Sequence, residues 1–556
     1  PSPKALSQRD NTDTRVPGTG CGANYSEHMK LRSVLFPSVL ALSLVLAGCT
    51  SSPLSPNSSK GPDKKPQVAA PAGFQQYYNQ ELDWRDCKAE DLVIPLMPTP
   101  EDLEDYQCAT IEAPMNWDDP DSEPIELALA RHLGKKGEKS PALFYNLGGP
   151  GGGSIDSITT FVSGVLTKQL ADHFQVVALD PRGVGASTPI VCMNDQERDD
   201  DIDEVVDLSN LSADELVALA DEEMEELGNQ CLERNGEILG YVDTDSAARD
   251  FDMARALLGQ EQFDYLGFSY GTVLGAQYAE LFPENVGHMV LDGAVDPSLS
   301  INELSAAQIE GMEKSLYHWI EDCQTSKACP LDGTLEDGKD ELVNFLDSVA
   351  AEPLKTSDPD RDLNVNQAYT AIIGSLYSTD IYPQLTLGIS QAFKGDGTTL
   401  LFLADYFNSR GSDGVYWDNS SDAFTAINAL DYEPVGTQEE WQAQADELAE
   451  RFPILTKDFG FPSAGMAAWP VQGRVTRHKI TAPGSPEILV IGTTNDPATP
   501  YFMSENLAND LENGVLITVE GWDHTAYSLD ASDCLIKAVD NFLIKGKVPE
   551  DGLVCD

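Results

Sequence analysis

"YLGFSYGTVLG", residues 265–275, sets one serine between two glycines directly after a short apolar run. Glycine and serine are common residues, so G-x-S-x-G alone is a weak signal and its flanks have to decide. The run "FDYLGF" (263–268) reads as a strand buried on both faces, and "GTVLGAQYAELF" (271–282) as a helix. A serine between such a strand and such a helix occupies a sharp turn with a strained backbone. Gly267 and Gly271 remove side chains that would collide as the two elements close up. The Ser269 hydroxyl then stands exposed at a helix N-terminus, where N–H groups favour negative charge. These surroundings make Ser269 a candidate nucleophile.

Working outward, further β-rich apolar runs appear at 125–133, 142–147, 174–180, 288–292, 487–492 and 514–520. Most lack polar alternation, and helical patterns such as "SAARDFDMARALLG" (246–259) lie between them, which predicts an α/β class with a mostly parallel sheet. Residues 299–470 break this alternation with helical segments and no strong buried strand. They read as a helical cap inserted between a first core part (75–298) and a second (471–556), placed over the carboxyl ends of the strands. The stretch 195–226, dense in Asp and Glu, reads as a solvated helical face.

A serine nucleophile needs a base and an acid, and in hydrolases with this turn the chain order is Ser, acid, His. His288, His318, His478 and His524 follow Ser269. His288 opens a strand, His318 falls in the helical block, and His478 precedes the acid candidate. His524, in "VEGWDHTAY" just beyond the run 514–520, has the right place. Asp496, in "EILVIGTTNDPATP", would accept the imidazole N–H and fix the tautomer. Asp292, ending "HMVLDG", is the rival acid, and Asp523 reads as a rim residue. In "NLGGPGGGS" (146–154) consecutive glycines let N–H groups approach a ligand. Gly149 and the N–H of Tyr270 are the expected oxyanion donors. The same glycines fail as a phosphate loop, because no Lys-Ser/Thr follows them.

The chain carries 35 basic and 92 acidic residues, a formal charge of −57, which argues against nucleic acid or an anionic membrane surface as main partner. "MKLRSVLFPSVLALSLVLAGC" (29–49) has a basic start, a short apolar core and small residues before a cysteine, as in a secretory leader. "LAGC" resembles the bacterial lipobox, which implies lipidation of Cys49 and a membrane link through that lipid only. Residues 1–28 read as an upstream non-structural segment, 29–48 as the leader, and 49–74 as the lipidated cysteine and a flexible tether. Export favours disulfides. Pairing in sequential order, Cys87–Cys108, Cys192–Cys231, Cys323–Cys329 and Cys534–Cys555, is the simplest framework, although eight cysteines allow 105 connectivities. No His/Cys cluster has metal-ligand spacing, so neither metal nor cofactor is expected.

"NLGGPGGGS", "LDPRGVGAS" (179–187), "GFSYGT", "LDGAVDP" (291–297), "GTTNDPATP" and "GWDHTAY", taken together and in this order, resemble the exported actinobacterial tripeptidyl aminopeptidases. That family, akin to the proline iminopeptidases, includes mycobacterial cell-envelope serine proteases and carboxylesterases. The resemblance spans nearly all of 75–556. It implies an α/β-hydrolase fold with a helical cap, Ser269, Asp496 and His524 as triad, and peptide substrates with a free N-terminus, cut by a monomer outside the cytoplasm, anchored or shed. A carboxylesterase or lipase with the same triad is the alternative, and a catalytically dead binding lipoprotein a remoter one. Leu147 stands where the family usually has proline, and cysteines expected near Ala429 and Met466 are absent, as if one cap disulfide had been lost as a unit.

Overall fold

The computed structural model describes residues 70–92, 103–206, 211–456, 462–474 and 477–556. The leader, Cys49 and the tether as far as residue 69 lie outside the described residues. Ten strands form one sheet: β1 (Arg85–Asp86), β2 (Tyr106–Pro114), β3 (Pro124–His132), β4 (Ala142–Asn146), β5 (Gln175–Leu179), β6 (Phe263–Phe268), β7 (Val286–Asp292), β8 (Ile488–Thr493), β9 (Gly514–Val519) and β10 (Leu553–Cys555). Their spatial order is β1-β2-β3-β5-β4-β6-β7-β8-β9-β10. Every pairing among β4 to β10 is parallel, while β1–β2, β2–β3 and β3–β5 are antiparallel. The seven apolar runs visible in the sequence are β3 to β9. β2 was not among them, because its burial alternates with polar positions such as Thr110 and Glu112 on an antiparallel flank.

The central strands are apolar throughout because both faces are covered. Phe144, Val177, Tyr265, Leu291 and Val490 point into one core, and their neighbours Tyr145, Ala178, Leu266, Val290 and Ile491 into the other. Parallel strands end at one edge of the sheet, so the loops after β4, β6, β7, β8 and β9 gather there. The strand ends at Asn146, Phe268, Asp292, Thr493 and Val519 position everything described in the next subsection.

Between β7 and β8 the described residues are mainly helical, including Ile301–Gln324, Val365–Ser375, Tyr382–Ala392, Thr398–Phe407 and Ser420–Asp431, and add no strand to the sheet. They do not share one core. Met312, Leu316, Trp319, Leu346, Ile372, Leu385 and Leu400 belong to a hydrophobic cluster of their own. Ala423, Ala426, Ile427, Leu430 and Trp469 instead join the main core, as does Ala429, with Met466 packed against it. The acidic run near 195 is not a purely solvated face. Asp199 pairs with Arg410 at 2.6 Å and accepts the Tyr416 hydroxyl, and Asp203 accepts from Asn364 and Gln367. The cap thus neutralises part of the run, which composition alone did not reveal.

Among the described residues four disulfides link Cys87–Cys108, Cys192–Cys231, Cys323–Cys329 and Cys534–Cys555. Among the described residues no helix is long and apolar enough to cross a membrane.

Candidate active site

Ser269 lies between β6 and the helix Tyr270–Leu281 with φ 55° and ψ −126°, a conformation that disfavours L side chains. Its neighbours enforce it. The Ser269 N–H donates to Asp292 O at 3.0 Å, and its carbonyl accepts from the Thr272 hydroxyl at 2.6 Å. A Cβ on Gly271 would meet Asn146 O at 2.5 Å, and one on Gly267 would meet Gly271 O at 2.5 Å, so strand, turn and helix are as close as backbones allow. Both glycines are sterically required.

The loop after β4 presses on the same turn. A Cβ on Gly148 would lie 2.8 Å from Ser269 Cβ and 3.1 Å from Tyr270 N. The Gly148 N–H is already committed to Asn146 Oδ1 at 3.0 Å. Among the described residues neither Gly149 N nor Tyr270 N donates to another protein group, which leaves two backbone donors beside the serine. Asp180 holds this loop from behind, accepting from Ser154 N at 2.7 Å and Ile155 N at 3.0 Å. That explains the "LDPRG" stretch. Its arginine, Arg182, is fully buried and bonded to both oxygens of Asp250 at 2.7 Å.

Asp496 and His524 meet at the ends of β8 and β9. His524 Nδ1 is 2.9 Å from Asp496 Oδ1 and 3.0 Å from Oδ2. The carboxylate, 1 % exposed, also accepts N–H groups from Ala498, Thr499 and Thr525. A carboxylate held by these donors presents only acceptor oxygens to Nδ1, which makes Nδ1 the protonated ring nitrogen and leaves Nε2 as a lone-pair acceptor. Nε2 is buried and has no hydrogen-bond partner among the described residues. Burial alone would lower the imidazole pKa, but the charge and hydrogen bond of Asp496, with the charge of Asp292, hold it above the ordinary histidine value. The ring's Cε1 lies 3.4 Å from the Cβ position of Gly293, the residue after the carbonyl that binds Ser269 N. Serine and imidazole therefore face the same corner of the sheet without a direct hydrogen bond between them.

Asp292, the rival acid, does not reach the imidazole by hydrogen bond. It is fully buried, accepts Ala526 N at 3.1 Å and Tyr527 N at 2.6 Å, and so fixes the loop that follows His524. Burial is the main reason its pKa rises to about 6. His288 is paired with Asp264 at 3.3 Å, and His318 stacks on Trp522 with ring centroids 4.0 Å apart.

Sequence reading missed two neighbours. The Thr499 hydroxyl is 3.4 Å from His524 Nδ1, and its position three residues after Asp496 in a Pro-rich turn was the available signal. The carbonyl of Tyr377 accepts the His524 N–H at 2.9 Å, and the Tyr377 ring meets the imidazole edge-on at 5.3 Å. Nothing local in the sequence marks that contact. No group of three or more His, Cys, Asp or Glu side chains able to hold a metal occurs among the described residues.

Comparison with known proteins agrees with this architecture. The family model of the α/β hydrolase fold matches residues 141–531. Serine protease Hip1 of Mycobacterium tuberculosis is 32% identical over 535 residues, covering 94% of this chain and 97% of that protein. Carboxylesterase B of the same organism is 33% identical over 531 residues, covering 94% and 98%. Tripeptidyl aminopeptidase of Streptomyces lividans is 28% identical over 493 residues, covering 85% and 86%. With Ser269, Asp496 and His524 carried by loops at the carboxyl edge of a mostly parallel sheet, the chain belongs to the α/β-hydrolase family.

Proposed function

We propose that the protein is an exported serine peptidase that releases short, tripeptide-like segments from the free N-terminus of peptides. The observation that carries this reading is the Asp496–His524 pair, whose buried, unpartnered Nε2 shares a corner with a serine on a strained, glycine-flanked turn. His524 takes the Ser269 proton as the oxygen attacks an amide carbonyl, and the Gly149 and Tyr270 N–H groups hold the oxyanion. His524 then protonates the leaving amine, and water hydrolyses the acyl-enzyme by the same route. Two relatives bearing peptidase names support the choice of substrate. The −57 formal charge favours cationic ligands such as an α-ammonium.

The four disulfides suit an extracytoplasmic enzyme. Attachment through a lipidated Cys49 is the localisation we infer from the lipobox-like "LAGC", and a monomer is the form we infer. Mass spectrometry of products from free and N-acetylated peptide libraries tests the main reading. Release of N-terminal tripeptides from the free set alone is expected, and equal cutting of both sets would refute an aminopeptidase. A carboxylesterase is the second reading, favoured by the 33% identical carboxylesterase. Turnover of short acyl esters without cleavage of any unblocked peptide would establish it instead.

A further inference from the structure

Three consecutive residues of the base loop each touch the separately cored part of the cap. Trp522 stacks on His318 of the helix Ile301–Gln324, with ring planes 10° apart. The His524 N–H donates to Tyr377 O at 2.9 Å. Between them, one oxygen of Asp523 accepts three hydrogen bonds from the cap: Thr379 N at 2.7 Å, Thr379 Oγ1 at 3.1 Å and Ser378 Oγ at 3.1 Å. Its second oxygen lies 3.3 Å from Thr379 Oγ1.

We propose that Asp523 is a positioning residue, tying the cap turn 377–379 to the base loop so that the imidazole of His524 is held for proton transfer only when the cap is seated. The claim rests on the reading of His524 as base. Sequence neighbours cannot supply this tie, since the partners are 144 and 145 residues away. Nor is it an electrostatic effect on the ring, because the carboxylates that raise the His524 pKa are Asp496 and Asp292. What Asp523 supplies is geometry. All three short contacts converge on Oδ1, so an amide oxygen in the same place would serve, whereas a methyl group would not. A displacement of about 1 Å at a reacting group can lower a rate on the order of 100-fold.

The test compares wild type, Asp523→Ala, Asp523→Asn and, on the cap side, the double substitution Ser378→Ala with Thr379→Val. Readouts are kcat and KM on one peptide or ester substrate, the rate of fluorophosphonate labelling of Ser269, and Tm. Asp523→Ala is expected to lower kcat and the labelling rate by roughly 10- to 100-fold with KM changed by less than about threefold. Asp523→Asn is expected to recover to within about threefold of wild type, because its Oδ1 can take the same three bonds. The cap-side variant should fall in the same direction, and combining it with Asp523→Ala should add little further loss. Should Asp523→Ala fail to fold, the cap-side variant and Asp523→Asn still decide. Wild-type kcat in the cap-side variant, equal losses in Asn and Ala, or a loss confined to KM would each overturn the proposal. A wild-type protein that resists the probe would instead refute Ser269 as nucleophile, a separate failure.

Discussion

Asp496→Asn is the substitution whose effect the geometry fixes most tightly. The Oδ1 of Asp496 accepts Ala498 N at 2.9 Å and Thr499 N at 2.8 Å, and Oδ2 accepts Thr525 N at 3.1 Å. An asparagine keeps most bonds by leaving its oxygen on the Ala498–Thr499 side, which puts its NH₂ where Oδ2 was, facing Thr525 N–H and the imidazole. His524 Nδ1 lies 3.0 Å from that NH₂ and 2.9 Å from the retained oxygen, which already serves two backbone N–H groups, so Nδ1 becomes the acceptor of the amide N–H. The proton moves to Nε2, and the ring can no longer take one from Ser269. Loss of the correct tautomer in such a triad lowers kcat about 10⁴-fold, or about 5 kcal/mol of transition-state stabilisation. The fold should survive, since the side chains are isosteric and one clash of donors is added. Steady-state hydrolysis, fluorophosphonate labelling and thermal melting of the same preparation measure the three quantities. A folded Asn variant within about tenfold of wild-type kcat would refute the assignment of Asp496 as the group that sets the tautomer.

Because Asp496 and Asp292 hold the His524 pKa above 6.5, the neutral base appears only at higher pH, and kcat/KM should rise through a midpoint above that value. Asp292→Asn removes one of the charges that raise it, so the same limb should move to lower pH; an unmoved or raised midpoint would contradict the electrostatics. Gly271→Ala would drive a Cβ to 2.5 Å from the Asn146 carbonyl, so chemical denaturation should show a loss of about 3 kcal/mol or failure to fold, and a change under about 0.5 kcal/mol would contradict the close approach. Replacing Cys192 and Cys231 together by serine opens a loop of 39 residues, and denaturant melts should show a loss approaching about 4 kcal/mol, with none under oxidising conditions arguing that the bridge adds nothing.

The parts of the site that could be read from the chain are those where local chemistry is concentrated. Ser269, Asp496 and His524 each follow an apolar run, and each turn carries residues with a local backbone or hydrogen-bonding reason to be there. β2 escaped because an antiparallel strand with one polar side lacks the continuous apolar run that betrays β4 to β9. The docking of Asp199 on Arg410 escaped for another reason. A dense acidic run looks solvated until its partner, 211 residues away, is in place. Tyr377 and Asp523 belong to the same class, being ordinary residues whose role exists only through contacts between distant segments. Periodicity reports which face of an element is buried, not which element covers it.

The uneven construction of the cap bears on how the two halves of the chemistry are supported. The oxyanion side rests on the helix Ser420–Asp431, whose apolar face belongs to the main core. Gly151 abuts Ser420 O and Phe424 N, and the Tyr270 hydroxyl is tied through Thr244 to Asp431, these last three residues being buried. The acid and base loops lean on the other body. Ala498 is a member of its hydrophobic cluster, Gly311 abuts Pro497 O, Gln308 donates to Ala498 O, and Tyr377, Ser378 and Thr379 hold the residues around His524. The proposed oxyanion donors are thus fixed by the same packing that holds the sheet together, whereas the Asp496–His524 pair leans on a separate hydrophobic cluster. A perturbation of that second cluster should accordingly slow proton transfer and serine labelling before it weakens the oxyanion donors. Cavity-forming substitutions such as Leu385→Ala, in the second cluster, and Ile427→Ala, in the main one, separate the two dependencies at similar chemical cost.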